Sequence, residues 1–510
     1  MTEAPLHIRG ARVLDAAADP DKPSVRDILV VDRRIAAVFD PAAPDAPAAP
    51  PGAVVLDAQG KLAVPGLVNA HYHSYDTLSK GRFEDMPFDV WALHSQPAYW
   101  GPRSRDELRL RTLVGALEAL RNGITTIQDM NSLVPRDEAT LDAILAAYAE
   151  SGIRVVFSAA VRDLPALDIA PFLPEDMPPE ARALTAGKPG DAADELAFVS
   201  AQLRRTPARR RLHWALSPSG PQRCSRALLE GIAGLSRDSD LPVLTHLYET
   251  RAQLARARAG YGEHGGSLVT YAKDVGLLTA RVSFAHGVYL TRAEIDMLAE
   301  AGAGVVHNPM ANLKLKNGVA PLLEFKRAGV NLALGCDNCS CGDCQNLFQA
   351  MKLYALLAAG SSGSPGGVLA RDALHAATAG GARALGLAGT VGALAPGYAA
   401  DIVLIDLDDY AYQPFNSATR QLVYAESGRG VRTVIVDGEI VVDRGRHTRV
   451  DEAAFREELA GLMRICEADY AALAARQAPA VPYLLEAQRR LDRAALGVDR
   501  FVNWRAPDAD

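Results

Sequence analysis

The chain has 510 residues, of which 49% are hydrophobic and 23% charged, values that are ordinary for a soluble globular enzyme. This length gives room for one large domain and a smaller one. A formal net charge of −7 without any long basic stretch argues against nucleic-acid binding, because such binding needs cations to neutralise phosphates. The N-terminus lacks a charged-then-apolar signal pattern, and no apolar stretch approaches a bilayer span. We therefore expect no membrane association and a cytoplasmic location.

The N-terminal part of the chain reads as short strands separated by turns. Apolar runs cover residues 6–14, 27–32, 34–39 and 54–56, and a Pro/Ala-rich connection over residues 41–51 is expected to be a surface loop. These runs predict a small sheet at this end of the chain.

The central part, residues 62–388, alternates apolar strands with amphipathic helices, the pattern of repeated βα units. Its length exceeds the roughly 250 residues of a minimal (β/α)8 TIM barrel and fits such a barrel with insertions. Eight strands are predicted, beginning near Val64, Thr125, Val155, His213, Val243, Val282, Gly304 and Leu332.

Strand character returns after residue 400, where the turn signal Asp437-Gly438 leads into a hairpin. We predict that these late strands pair with the early ones in a sheet that the central part interrupts. From about residue 451 the pattern is helical and charged. The resulting division of the chain is 1–61, 62–388, 389–450 and 451–510.

Histidine or aspartate side chains end the apolar strands of the central part repeatedly. Side chains two residues apart in a strand point to the same face, so His71 and His73 can reach one ion. Further strands end at His246, His286, His307 and Asp337. A lone histidine is usually an ordinary core or surface residue, but this recurrence argues against that reading. Imidazoles with one carboxylate suit zinc or ferrous iron, and the C-terminal strand ends of a barrel hold its active site.

Four of the six cysteines are close together in a C-x2-C-x-C-x2-C pattern, at Cys336, Cys339, Cys341 and Cys344. One interpretation is a structural zinc or cluster site. Reduced thiols that pack a loop are favoured instead, because Cys336 and its strand neighbour Asp337 point to opposite faces and cannot share a set of ligands.

Six segments together resemble the amidohydrolase superfamily, specifically its chlorohydrolase and aromatic deaminase branch, over about residues 5–450. They are PGLVNAHYH (65–73), HLYET (246–250), AHGV (285–288), HNPMAN (307–312), LGCDN (334–338) and GALAPGYAAD (392–401). The resemblance implies an α/β fold in which a (β/α)8 barrel carries a small β-sandwich built from both chain ends. The helical segment after residue 450 is an extension beyond it.

The resemblance also implies roles for individual residues. One divalent metal, with zinc expected first and iron as the alternative, would be held by His71, His73, His246 and Asp337. Such a metal lowers the pKa of its bound water toward neutrality. Asp337 would accept a proton from that water, and Glu249 would protonate a ring nitrogen of the substrate. His286 would either hydrogen-bond the attacking oxygen or join the outer coordination of the metal.

A two-metal version of the family site is disfavoured by the sequence. Two cations need an anionic bridging ligand from a middle strand, which in the family is a carbamylated lysine or a glutamate. Residues 153–158 and 212–218, the third and fourth strand regions, contain neither residue type.

Substrate contacts are less well defined. The aromatic segment 81–100, with Trp91 and His94, could stack on a flat heterocycle or merely pack on the rim of the site. Position 219 is a serine, whereas adenosine-type deaminases of the family carry a histidine there and guanine deaminases an arginine. This difference puts both of those substrates in doubt. Polar contacts are expected from Gln222, Arg223 and His307, of which the last could equally be a core residue.

These features predict hydrolytic deamination of an aminated heterocycle of the purine, pterin, triazine or pyrimidine type. The alternative is hydrolysis of an amide, urea or aryl C–Cl bond at the same site. A metal-binding scaffold without activity is a remote alternative. No nucleophile elbow, Walker loop or dinucleotide fingerprint is present in the sequence. The expected partner is a small heterocyclic substrate, and the resemblance favours a homodimer or larger homo-oligomer.

Overall fold

The computed structural model describes residues 4–15, 19–101, 103–186, 190–363 and 365–501. The outer ends of the predicted division, residues 1–3 and 502–510, lie outside the described residues. The fold is mixed α/β and contains parallel sheets, as the βα pattern predicts.

Five strands occupy the N-terminal region: β1 (Leu6–Val13), β2 (Val25–Val31), β3 (Arg34–Phe39), β4 (Val54–Asp57) and β5 (Lys61–Pro65). β1 pairs in antiparallel fashion with β2 and in parallel fashion with β4 and β5, and β2 pairs with β3. Leu6 and Ile8 alternate along β1 with more exposed residues, as expected for a strand with one buried face.

Ten strands of the central part form two parallel sheets that are almost wholly buried. They are β6 (Leu67–His73), β7 (Ile124–Asn131), β8 (Arg154–Val161), β9 (Leu212–Trp214), β10 (Ser217–Pro218), β11 (Val243–Leu247), β12 (Val282–His286), β13 (Gly304–His307), β14 (Asn331–Leu334) and β15 (Asp337–Asn338). One sheet has the order β10-β8-β7-β6-β15 with β9 beside β8, and the other runs from β11 to β14. A parallel bridge between Leu216 and Val243 links the two sheets.

The first predicted central strand is divided in the structure. Residues 61–65 form β5 in the sheet of the chain ends, and the parallel strand β6 begins only after Gly66. A Cβ at Gly66 would lie 2.1 Å from Oγ1 of Thr125, so only glycine allows the chain to pass this close to β7.

The late strands are β16 (Ile402–Asp406), β17 (Val431–Val436), β18 (Glu439–Asp443) and β19 (Arg446–His447). β16 pairs with β5, which gives one nine-stranded sheet of order β19-β18-β17-β16-β5-β1-β2-β3 with β4 beside β1. The pairing of late with early strands is therefore present. The turn between β17 and β18 has positive φ angles at Asp437 and Gly438, as a two-residue hairpin requires.

The end sheet is joined to the parallel strands by a buried ion pair. Arg154 at the start of β8 is about 2% exposed, and its Nη2 donates to Oδ1 of Asp401 at 3.0 Å. Its Nη2 also lies 3.7 Å from Oδ1 of Asp437. Burial alone would lower the pKa of Arg154, but Asp401 raises it above its usual value, so the guanidinium stays charged.

Helices connect the strands and cover the parallel sheets. In the described residues the α-helices are α1 (Phe88–Ser95), α2 (Arg105–Arg121), α3 (Glu138–Ser151), α4 (Pro179–Thr185), α5 (Ala192–Arg205), α6 (Arg226–Ser239), α7 (Arg251–Gly260), α8 (Leu268–Asp274), α9 (Arg292–Ala301), α10 (Pro309–Lys314), α11 (Leu322–Ala328), α12 (Cys339–Gly342), α13 (Leu347–Gly360), α14 (Ala370–Ala376), α15 (Ala379–Ala384), α16 (Ala418–Tyr424), α17 (Glu452–Gln477) and α18 (Val481–Arg493). Several begin at a capping residue, such as Ser104 before α2 and Thr291 before α9. Among the described helices, none combines the length and apolar character needed to cross a membrane.

Candidate metal centre and active site

Histidine and aspartate side chains converge at the C-terminal ends of the parallel strands. His71 and His73 lie on β6, His246 on β11, His286 at the end of β12, and Asp337 at the start of β15. Oδ1 of Asp337 lies 3.5 Å from Nε2 of His71 and 3.4 Å from Nε2 of His73. Ligand atoms of His71, His73 and His246 lie within 4.8 Å of one another, and so do those of His71, His286 and Asp337. The side chains predicted for the metal site are therefore neighbours.

Hydrogen bonds orient the imidazoles so that a nitrogen of each faces this centre. Nδ1 of His73 donates to the carbonyl oxygen of Met130 at 2.6 Å, and Nδ1 of His246 donates to that of Ser219 at 2.7 Å. A neutral imidazole has one donor, so Nε2 of both rings carries a lone pair. Nε2 of His71 is buried and has no hydrogen-bond partner among the described residues. Buried nitrogen lone pairs aimed at one point fit a metal ion.

The electrostatics of the cluster also fit a cation. Burial, followed by the neighbouring imidazoles, lowers the pKa of His71 and His246 well below 6.5, and burial lowers that of His73 to about 4. The three rings are therefore neutral, the state in which histidine binds metals. Burial raises the pKa of Asp337, with partial opposition from His286. An ionised carboxylate at this position is stabilised by a nearby positive charge.

Glu249 and His286 form the second part of the site. Oε1 of Glu249 accepts a hydrogen bond from Nδ2 of Asn317 at 3.1 Å and lies 3.7 Å from Nε2 of His286. The same Nε2 lies 3.7 Å from Oδ2 of Asp337, while Nδ1 of His286 donates to Oδ1 of Asn312 at 2.8 Å. Burial raises the pKa of Glu249, and the positive charge of Arg223 opposes this shift only in part. This carboxyl can hold a proton near neutral pH and release it to a bound molecule.

The backbone is unusual at two of these positions. His286 has φ 76° and Asp337 has φ 59°, in the left-handed region that residues other than glycine rarely adopt. Such conformations persist only where the surrounding contacts impose them, and they are concentrated at functional sites.

A cavity of about 220 Å³ opens onto this centre. Its wall includes Asp337, Glu249 and Arg223. Aromatic side chains also line it, namely Tyr75, Phe88 and Trp91, together with the charged residues Arg136, Arg162 and Glu195. The cavity therefore combines polar, charged and aromatic lining, which suits a flat polar ligand.

Arg223 is held rigidly on this wall by Asp168. Its Nε and Nη2 donate to Oδ2 of Asp168 at 3.1 and 2.5 Å, and Gln222 donates to the same oxygen at 3.2 Å. Nη1 of Arg256 donates to the other oxygen of Asp168 at 3.0 Å. Burial alone would lower the pKa of Arg223, but Asp168 raises it above its usual value, so Arg223 is a fixed positive charge near Glu249.

The predicted substrate contacts have different locations. Trp91 and Arg223 line the cavity, whereas His94, Gln222 and His307 are not among its lining residues. Gln222 is directed to Asp168, as described above. The ring of His94 lies beside Phe83, with 6.1 Å between centroids. His307 ends β13 and is buried, and its ring centroid lies 5.9 Å from that of Tyr354. Neither of its ring nitrogens has a hydrogen-bond partner in the described part of the chain.

Several lining or supporting residues were not identified from the sequence. Arg162 directly follows the apolar strand β8, so the rule that found the histidines at strand ends could also have found it. Asn317, which donates to Glu249, and Asp168, which holds Arg223, lie outside regular elements and give no sequence signal.

The cysteine group does not form a cluster of metal ligands. No cysteine belongs to the groups of converging ligand atoms found among the described residues. The Cys341 thiol donates to the carbonyl oxygen of Asn338 at 3.2 Å, and the Cys344 thiol donates to Oε1 of Gln349 at 3.4 Å. All six cysteines are free thiols, which agrees with the favoured reading of the sequence.

Comparison with known proteins places this site in a family. The model of the amidohydrolase family matches residues 62–441, which is well over half of the chain. The chain belongs to the amidohydrolase family. Membership confirms the resemblance stated above and the prediction of an amidohydrolase-type hydrolase.

Similar proteins within the family are named as deaminases. The chain is 33% identical over 458 residues to a 5'-deoxyadenosine deaminase of Methanothermobacter thermautotrophicus, covering 89% of this chain and 96% of that protein. It is also 33% identical over 463 residues to a 5-methylthioadenosine/S-adenosylhomocysteine deaminase of Halobacterium salinarum, with the same shares covered. Among solved structures, an adenosine deaminase from Xanthomonas campestris with bound zinc superposes with a TM-score of 0.77 at 28% identity, over 91% of this chain and 99% of the other.

Proposed function

We propose that this amidohydrolase deaminates an aminated aromatic heterocycle by hydrolysis and releases ammonia. The observation that carries the proposal is the buried carboxyl of Glu249, placed on the cavity wall beside the cluster of histidines and Asp337. A proton donor at this place is needed to make the ring carbon that bears the amino group electrophilic. The deaminase names of the relatives support the same reaction.

One divalent metal would be held by His71, His73, His246 and Asp337, and when bound it supplies a water molecule activated as a nucleophile at neutral pH. Zinc is favoured because the similar Xanthomonas campestris structure has zinc bound, and iron is the alternative. Since neither middle strand region carries a lysine or glutamate to bridge two cations, a single ion is proposed.

Asp337 and Glu249 are proposed to carry out the proton transfers, and His286 is proposed to bind the incoming oxygen. The Asp337 carboxylate accepts the proton that the attacking water loses, and Nε2 of His286 lies where it can hydrogen-bond the incoming oxygen. Glu249 gives its proton to the ring nitrogen next to the attacked carbon. The resulting tetrahedral carbon then expels the amino group, which leaves as ammonia after taking up the proton from Asp337. As the carbonyl of the product forms, the hydroxyl proton of the adduct returns to Glu249, which restores the acid.

The wall of the cavity is proposed to orient the heterocycle. Trp91 and Phe88 offer aromatic faces, and the Trp91 ring is fixed because its Nε1 donates to Oγ of Ser340 at 2.8 Å. Arg223 offers a fixed donor to an acceptor atom of the ring. His94, Gln222 and His307 remain weaker proposals for direct substrate contact, because none of them lines the cavity.

Coupled measurement of ammonia release over purines, pterins, triazines and pyrimidines tests this function. Turnover of at least one compound with release of stoichiometric ammonia is the expected result. If no compound of this panel releases ammonia but amides, ureas or aryl chlorides are turned over, the result would favour hydrolysis of a different bond. A zinc-loaded protein that turns over none of these compounds would favour the inactive scaffold.

The finer architecture is also proposed. We propose that the parallel strands close into a (β/α)8 barrel over residues 62–388, because β15 continues from β14 and pairs with β6. The nine-stranded sheet would fold over its own apolar core as the small β-sandwich of residues 1–61 and 389–450. Residues 451–510 would be the helical extension. A homodimer or larger homo-oligomer is proposed from the family resemblance, and sedimentation analysis tests it.

A further inference from the structure

The segment after α18 lies against loops that follow the strands of the active site. Nε of Arg500 donates to the carbonyl oxygen of Val288 at 2.9 Å, and its Nη2 donates to that of Leu290 at 2.7 Å. The two carbonyls belong to residues two and four positions after His286, whose backbone is in the left-handed region. Arg500 therefore fixes the turn that follows this strained residue.

The backbone of Arg500 contacts a second loop, which follows β13 and α10. Its carbonyl oxygen accepts a hydrogen bond from the backbone N–H of Val319 at 2.7 Å. The approach is close, because a Cβ at Gly318 (φ 103°) would lie 2.8 Å from the same oxygen. Only glycine allows both this φ angle and this distance.

The second loop and the helix α10 before it carry the side chains that hold the two candidate catalytic groups. Asn317 precedes Gly318, and it donates from Nδ2 to Glu249 and from its backbone N–H to the carbonyl oxygen of Asn312 at 2.8 Å. Oδ1 of Asn312 in turn accepts the hydrogen bond from His286. One residue of the C-terminal extension thus joins the turn after His286 to the loop that holds Glu249, and this loop is hydrogen-bonded to Asn312, which holds His286.

We propose that Arg500 is a positioning residue that fixes the carboxyl of Glu249 and the imidazole of His286 for the reaction. This inference rests on the proposed function for its kinetic part only. The guanidinium of Arg500 is well suited to this task, since it spans two carbonyl oxygens with separate N–H groups. Misplacement of a reacting group by about 1 Å can reduce the rate by roughly 100-fold.

The test compares Arg500→Ala with Arg500→Lys in the full-length, zinc-loaded protein. The matched control is Arg489→Ala, because the side chain of Arg489 is 58% exposed and pairs only with Glu486 of its own helix among the described residues. Arg500→Ala should reduce kcat by about 10- to 100-fold with KM changed less than about 3-fold. Arg500→Lys should recover part of the loss, since an ammonium can reach only one of the two carbonyls at a time. Arg489→Ala should match the wild type.

Hydrogen exchange gives a second measurement that needs no substrate. Amide exchange in residues 312–320 should be at least about 10-fold faster in Arg500→Ala than in the control. Without the guanidinium, residue 500 is no longer held to Val288 and Leu290, so its carbonyl oxygen, the acceptor for the Val319 N–H, is less firmly placed. Unchanged exchange, or an unchanged kcat on a compound that the wild type turns over, would overturn the proposal. A fall in kcat that matches an equal loss of bound zinc would also overturn it. If no compound is turned over by any variant, the exchange result alone decides on Arg500, whereas the proposed function fails separately.

Discussion

Replacement of Glu249 by glutamine gives the sharpest test of the acid proposed here. The change is nearly isosteric, and the side-chain oxygen of glutamine can still accept the hydrogen bond that Asn317 donates at 3.1 Å. The variant should therefore fold and bind metal as the wild type does. The variant lacks the ionisable proton of Glu249, a carboxyl whose pKa is raised by burial.

General acid–base groups contribute about 10²- to 10⁴-fold to a rate. At 1.36 kcal/mol for each tenfold change, Glu249→Gln should raise the activation barrier by about 3–5 kcal/mol. The loss should appear in kcat, because the cavity wall and its aromatic contacts are unchanged. Ammonia release under saturating substrate measures it, with zinc content and thermal unfolding recorded on the same preparation.

The matched control is Glu294→Gln, which also replaces the carboxyl of a buried glutamate by an amide. Glu294 lies in the capping box of α9 and does not line the cavity. Its replacement keeps a side-chain oxygen for the capping box and should leave kcat within about 2-fold. A Glu249→Gln enzyme with kcat within 10-fold of the wild type would refute the assignment of Glu249 as the proton donor.

Three further predictions follow from features of the fold and the site. Dialysis against a chelator should abolish turnover, and added zinc should restore it when about one ion is bound per chain. The variant His71→Ala should bind well under one zinc ion per chain. Metal analysis that finds one zinc ion per chain in this variant would contradict the proposed ligand set. Arg154→Ala should lower the free energy of unfolding by about 3–5 kcal/mol, because it removes the cationic partner of the buried carboxylate of Asp401; an unchanged midpoint in urea would contradict this. Burial lowers the pKa of His447 from 6.5 to about 4, so the unfolded chain binds this proton more readily. The stability that neutral His447 contributes is present above pH 6.5 and is lost as the pH falls toward 4, so urea midpoints of His447→Gln should fall less over this range than those of the wild type.

The convergence of the histidines and Asp337 could be predicted from the sequence because the information for it is local. Each of these residues ends or follows an apolar strand, and the i, i+2 spacing of His71 and His73 fixes their common face whatever the rest of the chain does. The parallel arrangement then brings strand ends together without further knowledge. The division of the first central strand at Gly66 could not be predicted, because it depends on the proximity of Thr125 in another element.

The predicted substrate contacts also depend on residues that are distant in the sequence. Gln222 and Arg223 are adjacent in sequence, yet only Arg223 lines the cavity. The difference arises from Asp168, more than 50 residues earlier in the chain, which binds both side chains. Loop side chains of this kind take their directions from distant partners, and no periodicity reports those partners.

The pairing of β5 with β16 affects how the chain folds during its synthesis on the ribosome. β5 ends at Pro65 and its partner begins at Ile402, so the amino-terminal strands emerge long before their neighbour is translated. Contacts of such long sequence separation form slowly and leave strand edges open to wrong partners in the meantime. During synthesis, β5 therefore keeps one edge without its partner strand until β16 has been translated.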